Sequence, residues 1–138
     1  MIKSKIIHPE LISTLAKCGH KTKILIADSN YSFVTNSSPK AIIIYLNLSP
    51  GMINATDILD ALLTEINVES AILMDTPADF NPEIYQEYKD RLSLEVEFTS
   101  LDRYAFYNTA KSDDLLLVIA SGEKRRFANI ILTVGAIK

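Results

Sequence analysis

The chain has 138 residues, 48% of them hydrophobic and 22% charged, which suits one folded domain with an ordinary core and excludes a disordered chain. Its net charge is −3 and its only tight basic cluster is Lys124, Arg125 and Arg126. That argues against a nucleic-acid partner, because polyanion binders concentrate Lys and Arg on one face.

The opening "MIKSKIIHPE" has basic residues with no continuous apolar stretch behind them, so no signal peptide is expected. The longest apolar runs have strand length and are too short to span a bilayer. Cys18 is the single cysteine, which permits neither an internal disulfide nor a CxxC zinc knuckle and fits a reducing compartment. The expectation is a cytoplasmic protein without a membrane partner.

Pro9 stands where a helix begins, and "ELISTLAKC" sets Leu11, Ile12, Leu15 and Ala16 on one side. Gly19 reads as the cap that ends it. "KILIA" is a strand whose continuous apolar character predicts burial on both faces. The polar "DSNYSFVTNSSPK" is a loop, "AIIIYLNL" a second strand and "SPGM" a turn. "NATDILDALLTEI" is an amphipathic helix that Asn54 or Thr56 could cap. "ESAILM" is a third strand. A helix starts after Asn81-Pro82 and lines up Ile84, Tyr88 and Leu92. "LEVEF" alternates as a strand with one wet face, and "LDRYAFYNTAK" is a short helix. "LLLVIAS" and "ANIILTVG" close the chain as two strands.

Alternating strands and helices predict an α/β fold, a three-layer α/β/α sandwich formed by one domain over 1–138. The linker "GEKRRF" is too short for a crossover helix, so the last two strands should pair antiparallel if they are neighbours, and the mainly parallel sheet should be mixed. No repeat or low-complexity tract interrupts the pattern.

In open α/β sheets ligands bind beyond the carboxyl ends of the strands. Asp28 follows the first strand and Asp75 the third. Either can be a loop cap, and "DTPADFNP" around Asp75 is rich in turn formers. His20 can tip a helix end and meet its dipole, or it can transfer a proton near neutral pH with Asp28 orienting the ring. His8 reads as a helix-boundary residue and Cys18 as a small apolar one. Two histidines and one cysteine make no metal motif. No GxGxxG, GxxxxGK[ST] or GxSxG is present, so neither a nucleotide cofactor nor a serine elbow is indicated.

Arg103 and Tyr107 stand four apart with Phe106 near them, and on a helix they share a face. An Arg beside aromatics can bind hydroxyls while the rings cover an apolar surface, the two kinds of surface that sugars present; the same pattern also suits a packed aromatic face with a snorkelling Arg. Asn129, just before the last strand, can cap a turn or grip hydroxyls.

Together "LAKCGHKTKILIADSN", "DRYAFYNTAK" and "SGEKRRFANIILTVG" resemble the RbsD/FucU family of sugar mutarotases over essentially the whole chain. The arginine-aromatic segment makes the chain look closer to the fucose mutarotase branch than to the ribose pyranase branch. The resemblance implies a compact three-layer α/β fold and ring-like homo-oligomers, often decamers of two pentamers, with the pocket at a subunit interface. It implies a free monosaccharide as partner, most simply L-fucose or a related sugar, interconverted between anomers without metal or organic cofactor. It implies His20 as the catalytic group, with Asp28, Arg103 and Asn129 binding the sugar. A ribose pyranase is the alternative within the family, and a binding or sensing protein on an impaired site is the alternative outside catalysis.

Two positions depart from the family pattern. Phe127 stands where a tyrosine is usual, and Asn30 where the fucose branch often has histidine. Tyr31, Tyr104 and Tyr107 are the hydroxyls that could stand in. Loss of one buried hydrogen bond costs about 1–3 kcal/mol, or roughly ten- to a few hundredfold in rate if it acts in the transition state.

Overall fold

A computed structural model describes residues 1–138. The elements in order are α1 (Pro9–Lys17), β1 (Lys23–Ala27), β2 (Ile42–Tyr45), α2 (Ala55–Leu63), β3 (Val68–Met74), α3 (Glu83–Arg91), β4 (Glu97–Leu101), α4 (Arg103–Ala110), β5 (Leu115–Ala120) and β6 (Ile130–Val134). All six strands form one sheet in the order β2-β5-β1-β6-β3-β4. β5 runs parallel to both β1 and β2, and β3 parallel to β4. β6 runs antiparallel to β1 and β3. The fold is the mixed, mainly parallel α/β sandwich that the pattern predicts.

Side-chain alternation assigns the two faces of the sheet. Ile24, Ile26, Leu117 and Ile119 join a core with α1, α2 and α3. Leu25, Ala27, Val118 and Ile131 face the other way, against Phe106 and Ala110 of α4 and Tyr31 of the loop after β1. The layers are unequal, with three helices on one side and one helix plus a loop on the other. Central strands covered on both faces read as unbroken apolar runs, and Ile24 to Ala27 are fully buried.

Local signals explain the element ends. His8 caps α1, its Nδ1 accepting from the Leu11 N–H at 3.2 Å, with Pro9 at the first helical position. Gly19 does not take the left-handed cap expected of it. The helix ends at Cys18 in extended backbone, and Thr22 N–H returns to Gly19 O at 3.1 Å in a turn where Lys21 holds the positive φ of 73°. β4 lies later than expected, because Ser93 turns the chain first: Val96 N–H donates to Ser93 O at 3.0 Å. Phe98 is then set opposite Ala71 of β3.

The last two strands do not meet the condition set for their pairing, that they be neighbours. β5 and β6 do not pair, since β1 lies between them. The connection over residues 121–129 therefore passes over the end of β1 instead of closing a hairpin. The turn at residues 49–52 packs against that connection at Gly122, where a Cβ would stand 2.1 Å from the Met52 carbonyl oxygen, so only glycine fits.

Candidate functional site

β1, β3, β4 and β5 all end on one side of the sheet, and β6 begins there. This is where α/β sheets bind ligands. The β5–β6 connection closes over it through four bonds. Ser121 N–H donates to Ala27 O at 3.0 Å and Ser29 N–H to Glu123 O at 2.8 Å. Ala128 N–H donates to Asp28 Oδ2 at 3.1 Å, and Asp28 N–H to Asn129 Oδ1 at 2.7 Å. Asn30 N–H completes the cradle at Asp28 Oδ1, 3.0 Å.

A cavity of about 290 Å³ opens beside Asp28, lined also by Asn30, Arg103, Tyr107, Phe127 and Asn129. It sits at the small end of the range for ligand sites and suits a monosaccharide better than a nucleotide. Asp28, Arg103, Tyr107 and Asn129, singled out separately in the sequence, are brought together here. With its Oδ1 committed to Asp28, Asn129 keeps its amide hydrogens for a ligand.

Asp28 is 2% exposed. Burial pushes its carboxyl up from the usual range, against the lowering effect of the N–H groups of Ala128, Asn30 and Tyr31, and the Glu123 charge adds to the rise. Burial also pushes Glu123 up, but hydrogen bonds from the Arg125 side chain and backbone, with the Arg125 charge, hold it below its ordinary value. Arg125 bridges from Glu123 to Glu87 of α3. Two residues of the basic cluster are thus absorbed locally: Arg125 in ion pairs, and Arg126 with its guanidinium 4.8 Å from the centre of the Phe80 ring.

The aromatic wall is built from both sides. α4 starts at Asp102, whose side chain accepts from Ala105 N–H at 2.9 Å; the next turn presents Arg103 and Tyr107 to the cavity. Phe106 turns into the core and is fully buried. Phe127 has φ 61°, uncommon for a bulky residue and a strain of order 1–3 kcal/mol. Its ring lines the cavity and lies 5.5 Å from Phe80.

Of the three residues whose hydroxyls could replace the one missing at Phe127, Tyr31 and Tyr107 line the cavity and Tyr104 does not. Tyr31 donates to Asn36 O at 2.7 Å, and burial pushes its phenol well up. Tyr104 is 75% exposed and lies outside the cavity. Tyr107 lines the cavity, its ring edge-on to Tyr31 at 5.7 Å.

His20 lies at the opposite end of β1, which corrects the idea that it meets Asp28 within one chain. β1's five residues alone span about 16 Å, and His20 precedes the strand while Asp28 follows it. The His20 Nε2 instead lies 2.9 Å from Glu69 Oε2. Asp75 behaves as a strand-end residue, bonded by Ser100 Oγ. Cys18 donates its thiol to Thr14 O at 3.3 Å, and burial pushes that thiol up, which is the inert setting of a structural cysteine. No three His, Cys, Asp or Glu side chains gather as a metal site would require. No helix is long and apolar enough to cross a membrane.

Sequence reasoning passed over Met74 and Arg126 as contributors to the cavity wall, and named Asn30 only as a departure from the family pattern. Arg126 was legible only as one of three adjacent cations.

The model of the RbsD / FucU transport protein family matches residues 1–137. The chain belongs to the RbsD/FucU family. Its catalytic function is of the isomerase type. A D-ribose pyranase of Geobacillus kaustophilus is 33% identical over 98% of this chain and 94% of its own. The structure of Bacillus subtilis RbsD complexed with D-ribose superposes with a TM-score of 0.85 at 29% identity, covering all of both chains. The fucose mutarotase of Streptococcus pneumoniae, in complex with L-fucose, follows at 0.84 and 26%, also over all of both chains.

These RbsD/FucU relatives correct the expected tie to the fucose branch, since similarity along the whole chain leans to the D-ribose pyranases. The physical reason is that Arg103 and Tyr107 form a short helical pattern able to serve any polyhydroxylated ligand. Identity over the full length weighs every position that shapes the fold.

Proposed function

We propose that this chain is a single-domain subunit of an oligomer that interconverts the ring forms of free D-ribose by acid–base catalysis. The observation that carries the reading is the cavity at Asp28, where an anchored carboxylate, an Asn amide, an Arg and a Tyr surround a space of monosaccharide size. The D-ribose pyranase relative and the RbsD structure holding D-ribose favour this sugar.

The reaction asks for proton transfers alone. A base takes the anomeric hydroxyl proton while a proton is delivered to the ring oxygen, and the C1–O5 bond breaks to give the open aldehyde. Closure through O4 gives the furanose: the O4 proton leaves as the O4–C1 bond forms, and the carbonyl oxygen is protonated. Closure through O5 on the other carbonyl face gives the second anomer. Asp28, Arg103 and Asn129 bind the hydroxyls, Tyr107 supplies the phenol that Phe127 lacks, and the rings cover the C–H face. His20, whose imidazole can both take and give a proton, is the proton carrier. Since it lies beyond the far end of its own β1, it serves the cavity of a neighbouring copy in a closed homo-oligomer such as a decamer.

Proton NMR saturation transfer on D-ribose, L-fucose, D-galactose and D-glucose tests the reading. The expected result is pyranose–furanose exchange of D-ribose above the buffer rate, lost in His20→Ala of unchanged assembly. No acceleration on any sugar by the assembled protein, with sugar still bound, would replace it with a binding role, the outcome that Phe127 favours.

A further inference from the structure

Glu69 is the second residue of β3, and His20 lies in the turn entering β1. The two strands flank β6, so their starts share one end of the sheet. Lys21 N–H is tied to Val134 O at 2.9 Å, and Val68 pairs with Val134. This common anchor on β6 brings Glu69 Oε2 to 2.9 Å from His20 Nε2, while the Lys21 ammonium engages Oε1.

The hydrogen bond from Lys21, then that from His20, hold the Glu69 carboxyl below its ordinary range. At neutral pH it is ionised and can only accept. A neutral His20 must therefore carry its proton on Nε2. Nδ1 has no partner within the chain and keeps its lone pair. Glu95 and Lys138 are the other charged groups lining the groove around His20, and neither bonds the ring.

We infer that Glu69 is a positioning residue: it fixes the Nε2–H tautomer of His20 and leaves Nδ1 to take the anomeric proton of a sugar held in a neighbouring copy. It also stabilises the imidazolium formed by that transfer, as carboxylates behind working histidines do. This rests on the role of His20 proposed above. The bland alternative is a surface ion pair of small energetic effect.

Three variants separate these outcomes, each checked for unchanged assembly by size-exclusion chromatography. Glu69→Gln should lower kcat for D-ribose ring exchange about ten- to a hundredfold while KM moves less than about twofold. Glu69→Asp should recover part of the loss. Nitrogen-15 spectra of His20 in the wild-type protein should show a pyrrole-type Nε2 and a pyridine-type Nδ1, replaced by a tautomer mixture in Glu69→Gln. If His20→Ala is inactive but Glu69→Gln turns over at the wild-type kcat, the inference falls and His20 keeps its role. If His20→Ala turns over normally, the role of His20 falls and this inference with it.

Discussion

Asp28 is almost fully buried at the edge of the cavity, and the residues around it satisfy its carboxyl oxygens. Each carboxylate oxygen accepts one backbone N–H, from Asn30 and from Ala128. Asp28→Asn keeps the shape but turns an amide NH2 toward one of those donors. An unsatisfied buried N–H costs about 1–3 kcal/mol, so urea unfolding should show a loss of that size. Saturation transfer on D-ribose should fall to the buffer rate in the same variant. Unchanged exchange would remove Asp28 from the sugar site. At this scale the sequence was informative. Asp28 stood after a strand, Arg103 and Tyr107 stood one helical turn apart, and Asn129 stood before a strand. The strand reading of "KILIA" also held a signal against joining His20 to Asp28, because residues flanking an extended strand lie at its two ends.

α3 shows how an element outside the cavity wall supports it. Its buried face was legible as Ile84, Tyr88 and Leu92, and all three are buried. What the pattern did not reveal is that the Tyr88 hydroxyl donates to Ala128 O at 2.6 Å. Ala128 is also the donor that holds Asp28, so α3 fixes the connection that closes the cavity. Tyr88→Phe leaves that carbonyl unpaired in the interior. It should lower stability by about 1–3 kcal/mol in urea unfolding and raise KM for D-ribose. A loss of stability with KM unmoved would confine α3 to a packing role. The order of the last strands was beyond local reading, since "GEKRRF" permits a hairpin but cannot say that β1 has taken the place between.

At the scale of the whole molecule, the residues proposed for the chemistry stand at the two ends of one sheet. His20 and Glu69 stand at the start of β1 and β3, and the Asp28 cavity at their finish. If neighbouring copies unite the ends, two inactive variants should complement each other. Assemblies of His20→Ala and Asp28→Asn mixed at random should recover about a quarter of wild-type exchange, because a site joining two copies in a closed oligomer then has one chance in four of receiving both intact residues. Mixed assemblies, verified by mass spectrometry, that stay inactive would rule out a shared site.

The sequence by itself determined the element types, the mixed and mainly parallel sheet and most of the residues around the cavity. Those properties follow from local periodicity, capping and turn chemistry, which act over a few neighbouring residues. Tertiary structure alone decided that β1 separates β5 from β6, that Phe127 turns its ring into the cavity and that Glu69 meets His20 across 49 positions of chain. Such contacts depend on which strands pair and where a connection crosses them. That choice belongs to the packing of the whole core and leaves no trace in any short stretch of sequence.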